Sequence, residues 1–546
     1  MDPARAALNP TRLRAPARVA LLVVPTAFLL VFYAWPVLTL VGTVVDGDAI
    51  ARTYRRPGLG AVLWFTLWQA LVSTTATLVA GLGPAYLVAR WQFAGRRLLA
   101  AAVTVPFLLP TVVVGAAFTA LLPPSLERSA TAVIVAHVFF NVAVVVRVVG
   151  ALWGRLPRDL TGAARVLGAG PWQAFRYVTL PLLRPALTAA ASITFLFTFT
   201  SFGVVQILGG PRHATVEVEV ARRATQLGDV SGAAVLSVLQ LLVLGLLVAA
   251  SVRVQRRSAS ELALAPARRE RPGSPARRAA VIGGALVTAV VMGAPLLALA
   301  VSSVRAGGHW STTAWTTLGD PPSRPGLDLG IDPLAAVGAS LRAAALATVI
   351  AVVVGGLASL GIAATRRGGR LLDVGTMLPL GTSAVTIGFG MLITFDHAPV
   401  DWRGDRWLVA VGHALVAVPF VVRAALPVLR SRPPGWIDAA SMLGASPLRA
   451  WWEIDVRLLR RPLLVGAGFA AAISLGEFGA TTFLSRTGDE TLPLAIARLL
   501  GRAGDLPRAQ ASALALLLAT VTLVVLLAVD AFDTNATEGT AGARGA

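Results

Sequence analysis

Apolar residues along the chain gather into long runs broken by short polar stretches. A helix needs roughly 20 such residues to cross about 30 Å of hydrocarbon. Runs of that length lie near 19–45, 61–89, 98–122, 130–153, 186–209 and 231–253, and again near 279–304, 335–363, 371–394, 407–429, 463–484 and 508–531. The pattern predicts twelve membrane-spanning helices. Between the two sets, RVQRRSASELALAPARRERPGSPARR (Arg253 to Arg278) is rich in Arg, Pro, Ser and Ala and has no apolar periodicity, which reads as a solvated cytoplasmic linker. Arg5, Arg12, Arg14 and Arg18 precede the first run, and the stretch from Val19 to about Val45 is too long for a signal-peptide core, so it reads as a retained first span.

Composition narrows the class. The 546 residues are 56% hydrophobic and 14% charged, with mean hydropathy +0.73, more apolar surface than soluble domains hide. A formal net charge of +21 raises nucleic acid as a partner, but the arginines sit in short clusters between apolar runs, as they do in cytoplasmic loops, and nucleic-acid binding is set aside. All 48 basic residues are arginine. Without lysine there is no phosphate-binding loop ending in Gly-Lys-Ser/Thr and no Schiff-base chemistry, so the chain does not itself hydrolyse ATP by that route. Without cysteine there are no disulfides, thiol catalysis or thiolate metal sites.

Arginine placement predicts the orientation. Arg90, Arg96 and Arg97; Arg155, Arg158, Arg165, Arg176 and Arg184; the linker; Arg366, Arg367 and Arg370; and Arg430, Arg432, Arg449, Arg457, Arg460 and Arg461 all fall on the side of the amino terminus. The opposite loops are mixed in sign, with Asp46, Asp48, Glu217, Glu219, Asp401, Asp405, Asp489 and Glu490. Twelve spans with both termini cytoplasmic, in the cell membrane, is the consistent solution.

An internal repeat organises the spans. Ala136 to Pro171 aligns without gaps on Gly412 to Pro447, placing His137 on His413, Arg147 on Arg423 and Gly168 on Gly444, 276 positions apart. The same offset puts Ser201-Phe202-Gly203 on Glu477-Phe478-Gly479, and an offset of 273 puts Pro106 and Gly115 on Pro379 and Gly388. Six spans per copy is an even number, so the copies share one orientation, as parallel repeats about an axis along the membrane normal do. The expected fold is all-α and polytopic, with a first half over 1–253, the linker over 254–278 and a second half over 279–546.

Each copy contains a polar segment, about 158–185 and 434–462, that reads as two short helices around a tight turn. In the second copy Asp438 to Leu443 forms the first helix, Gly444 ends it as a left-handed residue, Ser446 caps the next and Pro447 occupies its first turn. Gly168, Gly170 and Pro171 take those places in the first copy. Ala163, Ala164 and Leu167, like Ala439, Ala440 and Leu443, share a small-residue face on which another protein can approach closely. Trp172, Phe175, Trp451 and Trp452, flanked by arginines, suit a rim at the membrane surface. An amphipathic helix pair that merely anchors the loop is the alternative; duplication at identical spacing favours docking.

The pattern Ala-Ala, three residues, Gly, nine residues and aliphatic-x-Leu-Pro resembles the EAA motif of ABC importer permeases, the coupling helix that docks on the ATPase subunit. Gly162-Ala-Ala, Gly168 and Val178-Thr-Leu-Pro181 match it except that Gly162 replaces the acidic residue; Asp438-Ala-Ala, Gly444 and Ile454-Asp-Val-Arg457 keep the acid and lose the Leu-Pro. The fused two-copy form, with FTSFGVVQILGG from Phe199 and SLGEFGATTFLS from Ser474, resembles the iron(III) and thiamine importers. The resemblance implies a type I permease fold, a separate homodimeric ATPase carrying the ATP and Mg, no cofactor in this chain, and an extracytoplasmic solute-binding protein. Gly209 to Gly232 and Arg486 to Arg508 are expected to form short surface helices that receive that protein.

Glu477 is the clear acidic candidate within a span, roughly 22 Å from its cytoplasmic end at 1.5 Å per residue. Buried carboxylates in membranes face a cavity or a partner, so Glu477 either favours a cationic cargo or makes a helix–helix hydrogen bond; its counterpart Ser201 is neutral. With Phe202, Gly203, Phe478 and Gly479 it marks the candidate pathway. Gly203, Gly476 and Gly479 permit close helix packing or local unwinding. His137 and His413 lack neighbouring donors for a metal and are expected to bond a neighbouring helix backbone, while Arg147 and Arg423 snorkel or brace the coupling segment. Asn535-Ala-Thr537 matches a glycosylation sequon but falls in a cytoplasmic tail. The rival readings are a six-plus-six secondary transporter, which calls for more intramembrane carboxylates or histidines, an ABC permease for sulfate, molybdate or polyamine, and an inert scaffold, which the Gly- and Pro-broken spans disfavour.

Overall fold

With no water in hydrocarbon to satisfy the backbone, the apolar runs fold as helices that bond internally. The computed structural model describes residues 15–44, 47–258, 269–319, 332–365, 367–397, 400–433, 435–486 and 488–542; Arg5, Arg12, Arg14, Asp46, Arg366 and residues 259–268 of the polar linker lie outside them. Among the described residues the paired strands are two small hairpins, Arg305–Ala306 with His309–Trp310 and Asp396–His397 with Val400–Asp401. Ten helices, from Leu21–Val44 to Asp505–Val529, are long and apolar enough to cross a membrane. Two further pairs are broken, Arg96–Leu108 with Thr111–Leu121 at 107° and Gly368–Gly381 with Ala384–Thr394 at 101°. Counting each pair as one span gives the twelve expected.

The runs 98–122 and 371–394 are therefore not the straight helices their apolar length suggested. Pro110 holds the preceding Leu109 extended (φ −75°, ψ 146°) and has no N–H with which to continue the helix. In the second copy Ser383 stops the helix another way, its Oγ accepting from the N–H groups of Val385 at 3.1 Å and Thr386 at 3.4 Å. The runs 186–209 and 463–484 are also redrawn. Their helices begin in the polar segments, at Pro171 and Leu448, and stop at Phe199 and Gly476; short helices Gly203–Leu208 and Thr481–Leu484 follow the breaks.

The first span of each half packs on the other half. Leu21–Val44 lies against Pro333–Ala364 and Ala384–Thr394, with Tyr33 Oη 2.6 Å from Thr382 Oγ1, while Pro275–Ser303 lies against Thr111–Leu121 and Arg96–Leu108. The described end of the linker is pinned: Glu270 N–H donates to Arg90 O at 2.9 Å, and Gln92 N–H to Glu270 O at 2.8 Å. Within each half the long helix Leu59–Arg90 or Pro333–Ala364 crosses Ala130–Trp153 or Trp407–Arg430 at a glycine. A Cβ on Gly81 would meet Val145 at 2.6 Å, and one on Gly355 would meet Val421 at 2.8 Å.

Gly388 meets backbone instead, because a Cβ there would stand 2.6 Å from Ala480 Cα, an atom that cannot swing away. Gly388→Ala is expected to cost about 1–3 kcal/mol by overpacking, while Gly293→Ala, with open space around it, leaves stability unchanged; thermal unfolding of the two variants in detergent checks the contrast.

Candidate functional site

The repeated polar segments have the same backbone. Helices Arg158–Val166 and Gly435–Met442 end on Gly168 (φ +88°) and Gly444 (φ +82°), the left-handed conformation glycine adopts without a Cβ clash. Leu167 N–H donates to Ala163 O and Ala169 N–H to Ala164 O, both at 3.0 Å; Leu443 and Ala445 repeat this on Ala439 and Ala440 at 3.1 and 3.0 Å. Gly170 N–H donates to Gln173 Oε1 at 2.8 Å ahead of Pro171, whereas Ser446 Oγ accepts from Arg449 N–H at 3.3 Å across Pro447. Gly162, Ala163, Asp438 and Ala439 are exposed, Ala164 and Ala440 half-buried, and the tips are bare apolar side chains: Val166 and Leu167 are 88% and 87% exposed, Met442 and Leu443 83% and 89%. The apolar tips are held by a fixed turn and repeat 276 positions apart, so the two segments expose matching apolar surface. Trp172 is exposed and stacks on Phe175 at 5.6 Å; Trp451 and Trp452 stand 6.4 Å apart.

Each segment runs without interruption into a membrane helix through a π-helical stretch, Phe175–Thr179 or Trp451–Val456, again 276 positions apart at their starts. Pro181 follows the first; Arg457 stands at its place in the second, so proline is not what widens both turns. The copies differ at the junction. Arg432 and the buried Asp455 form an ion pair in the second, where the first has buried Leu156 and Thr179. Arg423 does not brace this segment: its Nε donates to Met377 Sδ at 3.2 Å.

Deeper in the bundle, the four broken spans meet around a cavity of about 400 Å3. Leu109, Pro110, Thr200, Ser201, Phe202, Ser383, Glu477, Phe478 and Gly479 all line it, so the structure brings together both triplets that the 276-residue repeat singled out. Phe202 and Phe478 face each other across the halves with ring centroids 4.9 Å apart. Gly203 and Gly479 are buried beside them, where a Cβ would stand 2.3 Å from Thr111 Oγ1 or 3.1 Å from Val385. Phe107, Phe140, Phe197, Phe420 and Phe469 form much of the remaining wall. Composition hid these five: they come from five helices, and no single stretch of sequence gathers them.

Polar side chains stitch the breaks. Glu477 Oε1 accepts from Ala480 N–H at 3.0 Å, and Thr481 Oγ1 donates to Glu477 O at 2.9 Å. His413 bonds Ser474 Oγ and Thr481 Oγ1, each at 2.8 Å, and His137 Nε2 stands 2.8 Å from Ser201 Oγ. The histidines thus hold hydroxyl side chains across the break and not the backbone expected of them. Ser383 Oγ donates to Glu217 at 2.6 Å, a bond between the halves; its counterparts in the repeat are prolines, so the fixed offset gave no signal for it.

The segments between these breaks and the next spans are not surface helices. Val216–Thr225 buries Val216, Glu217, Glu219, Val220, Ala221 and Arg223, and Leu492–Leu500 buries Leu492 to Ile496 and Leu499. Their apolar faces pull them into the bundle, and hydroxyls on the long helices seat them alike: Val216 N–H donates to Thr66 Oγ1 at 3.0 Å and Leu492 N–H to Ser340 Oγ at 2.7 Å. Burial opposes the charge on Glu219, but hydrogen bonds from Arg222 and Arg223 outweigh it and hold that carboxyl below its ordinary range.

Residues 78–261 and again 347–537 match the family described as binding-protein-dependent transport system inner membrane component. The chain belongs to that family. It is a two-half ABC permease, and the exchanged first spans lie outside the matched repeats. It is 26% identical over 532 residues to the thiamine transport system permease protein ThiP of Brucella suis biovar 1, covering 90% of this chain and 93% of that one. To ThiP of Escherichia coli K12 it is 24% identical over 462 residues, covering 81% and 83%. The sulfate transport system permease protein CysT of the same strain is 32% identical over 167 residues, 28% of this chain and 60% of that one. Family membership sets aside the secondary-transporter and scaffold readings; the permease is a transport subunit and not an enzyme.

Removing one partner of a buried ion pair leaves an uncompensated charge, so Asp455→Ala in the permease is expected to cost about 3–5 kcal/mol. Arg432→Leu with Asp455→Thr, which copies the first half, recovers most of that stability; thermal unfolding of both variants checks it.

Proposed function

We propose that the permease carries thiamine across the membrane, handed over by an extracytoplasmic binding protein and driven by a separate homodimeric ATPase whose two subunits dock on Val166–Leu167 and Met442–Leu443. The arginine-rich face is then cytoplasmic, with both termini on it. One observation carries the cargo reading: among the described residues the wall of the cavity between the halves has seven phenylalanines and a single carboxylate, Glu477. Aromatic walls stack on a planar heterocycle and attract a cation, and Glu477 complements its positive charge. The relatives named for thiamine transport, aligned over most of the chain, support the same cargo. Iron(III) prefers several hard oxygen donors and meets one carboxylate here; sulfate meets a carboxylate of its own sign.

The contact of Phe202 with Phe478 closes the path on the side away from the arginines, and the cavity walls from Phe107, Phe197 and Phe469 lie on the arginine side of it. ATP-driven closure of the ATPase draws the docking segments together, and the continuous helices Pro171–Phe199 and Leu448–Gly476 carry that movement to Phe202 and Phe478.

Uptake of labelled thiamine into proteoliposomes holding the permease with its ATPase and binding protein tests this reading. Thiamine is expected to enter with ATP, and iron(III) and sulfate are not. Glu477→Gln keeps an oxygen for Ala480 N–H but loses the charge, and uptake is expected to fall roughly tenfold, the scale of one charge-assisted contact. Transport of sulfate or iron(III) in place of thiamine contradicts the assignment.

A further inference from the structure

Two cavities lie toward the arginine-rich side, related by the repeat. One, of about 830 Å3, lies between Arg96–Leu108 and Ala130–Trp153 of the first half and Leu448–Gly476 and Asp505–Val529 of the second, and Arg147 and Arg269 line it. The other, of about 530 Å3, lies between Gly368–Gly381 and Trp407–Arg430 of the second half and Val230–Arg253 of the first, with Arg423 where the first has Arg147.

Their charge differs. Asp373 lines the smaller cavity and pairs with Arg430 at 3.0 Å, and Arg423 is engaged by Met377. Among the described residues no acidic side chain lines the larger one, and neither Arg147 nor Arg269 has a carboxylate partner. Arg96 adds to this field, within electrostatic reach of both Arg269 and Arg97. Glu270 follows Arg269 but is not part of the lining. The rest of the wall is almost wholly apolar, including Ala101, Val105, Leu523 and Leu527, and Leu527 is exposed to hydrocarbon. Arg147 sits six residues from the helix end at Trp153, about 9 Å at 1.5 Å per residue, a depth from which its side chain reaches the headgroup region.

An anion with an apolar body satisfies both parts of this cavity. We propose that it binds an anionic phospholipid of the leaflet on the arginine-rich side, its phosphate between Arg147 and Arg269 and an acyl chain along Ala101, Val105 and Leu527. The pseudo-equivalent cavity, with one arginine and the carboxylate of Asp373 in its wall, selects that charge less. Each arginine near a headgroup is worth about 1 kcal/mol, so two favour an anionic over a zwitterionic lipid by roughly tenfold or more.

The full-length permease in nanodiscs of equal phosphatidylglycerol and phosphatidylcholine, with retained lipid counted by native mass spectrometry, tests the site. Phosphatidylglycerol is expected to be enriched by roughly tenfold. Arg147→Gln with Arg269→Gln brings the ratio to near one, Ala101→Trp does the same by filling the apolar wall with both arginines in place, and Arg423→Gln leaves the enrichment intact. Inorganic phosphate at millimolar concentration does not displace the lipid. Equal retention of the two lipids, or enrichment that survives either the double arginine variant or Ala101→Trp, overturns the proposal. Displacement by inorganic phosphate identifies a free-phosphate site and overturns it as well.

Discussion

In hydrocarbon a helix can break only where the freed N–H and C=O groups find partners inside the protein. This permease breaks four spans near mid-membrane, and that constraint drives the breaks to one place. Leu109–Pro110, Thr200–Phe202, Thr382–Ser383 and Glu477–Ala480 all lie where the halves meet, and in the second half Ser383, Glu477 and Thr481 bond the freed backbone groups. The same concentration of irregular backbone makes a constriction where the two halves meet. Phe202 and Phe478 stand at its centre because the repeat puts one phenylalanine on each side of the axis.

The halves are alike in backbone and unlike in side-chain chemistry. Both have the π-helical junction, the left-handed glycine and the exposed apolar tips. Only the second has the Arg432 and Asp455 ion pair at its junction and a carboxylate, Glu477, at the constriction. The outer closure is one-sided too, since Glu217 reaches Ser383 while Pro493 and Pro110, at the corresponding places, have no side-chain donor or acceptor. Two like polar segments therefore run into unlike junctions, and the ion-paired one belongs to the half that carries Glu477.

Much of this was legible in the sequence because repeats and backbone chemistry leave local marks. Gly168 and Gly444, Ser446, and the pairing of Ser201-Phe202-Gly203 with Glu477-Phe478-Gly479 are all readable at a fixed offset, and the structure places them as the offset suggests. Apolar run length, in contrast, carries no direction. It gave straight helices over 98–122 and 371–394, where Pro110 and Ser383 turn the chain by about a right angle, and it merged the breaks at Thr200 and Glu477 into their spans. Gly209 to Gly232 and Arg486 to Arg508 read as surface helices from their length between spans, yet Val216–Thr225 and Leu492–Leu500 are largely buried, with Glu217 bonded to Ser383 and Gln240. The phenylalanine wall is a property of five helices meeting, which no single segment records.

Because the chain has no cysteine, the movement at the constriction can be read from one introduced pair. The most direct measurement is the crosslinking of Phe202→Cys with Phe478→Cys by a short bifunctional thiol reagent, in the permease assembled with its ATPase, without nucleotide and after trapping with ATP and vanadate. The account predicts efficient crosslinking without nucleotide, loss of uptake once the link is made, and protection from the reagent in the trapped state. Equal crosslinking in both states, or full uptake with the link in place, would contradict the claim that the broken spans part to let cargo through.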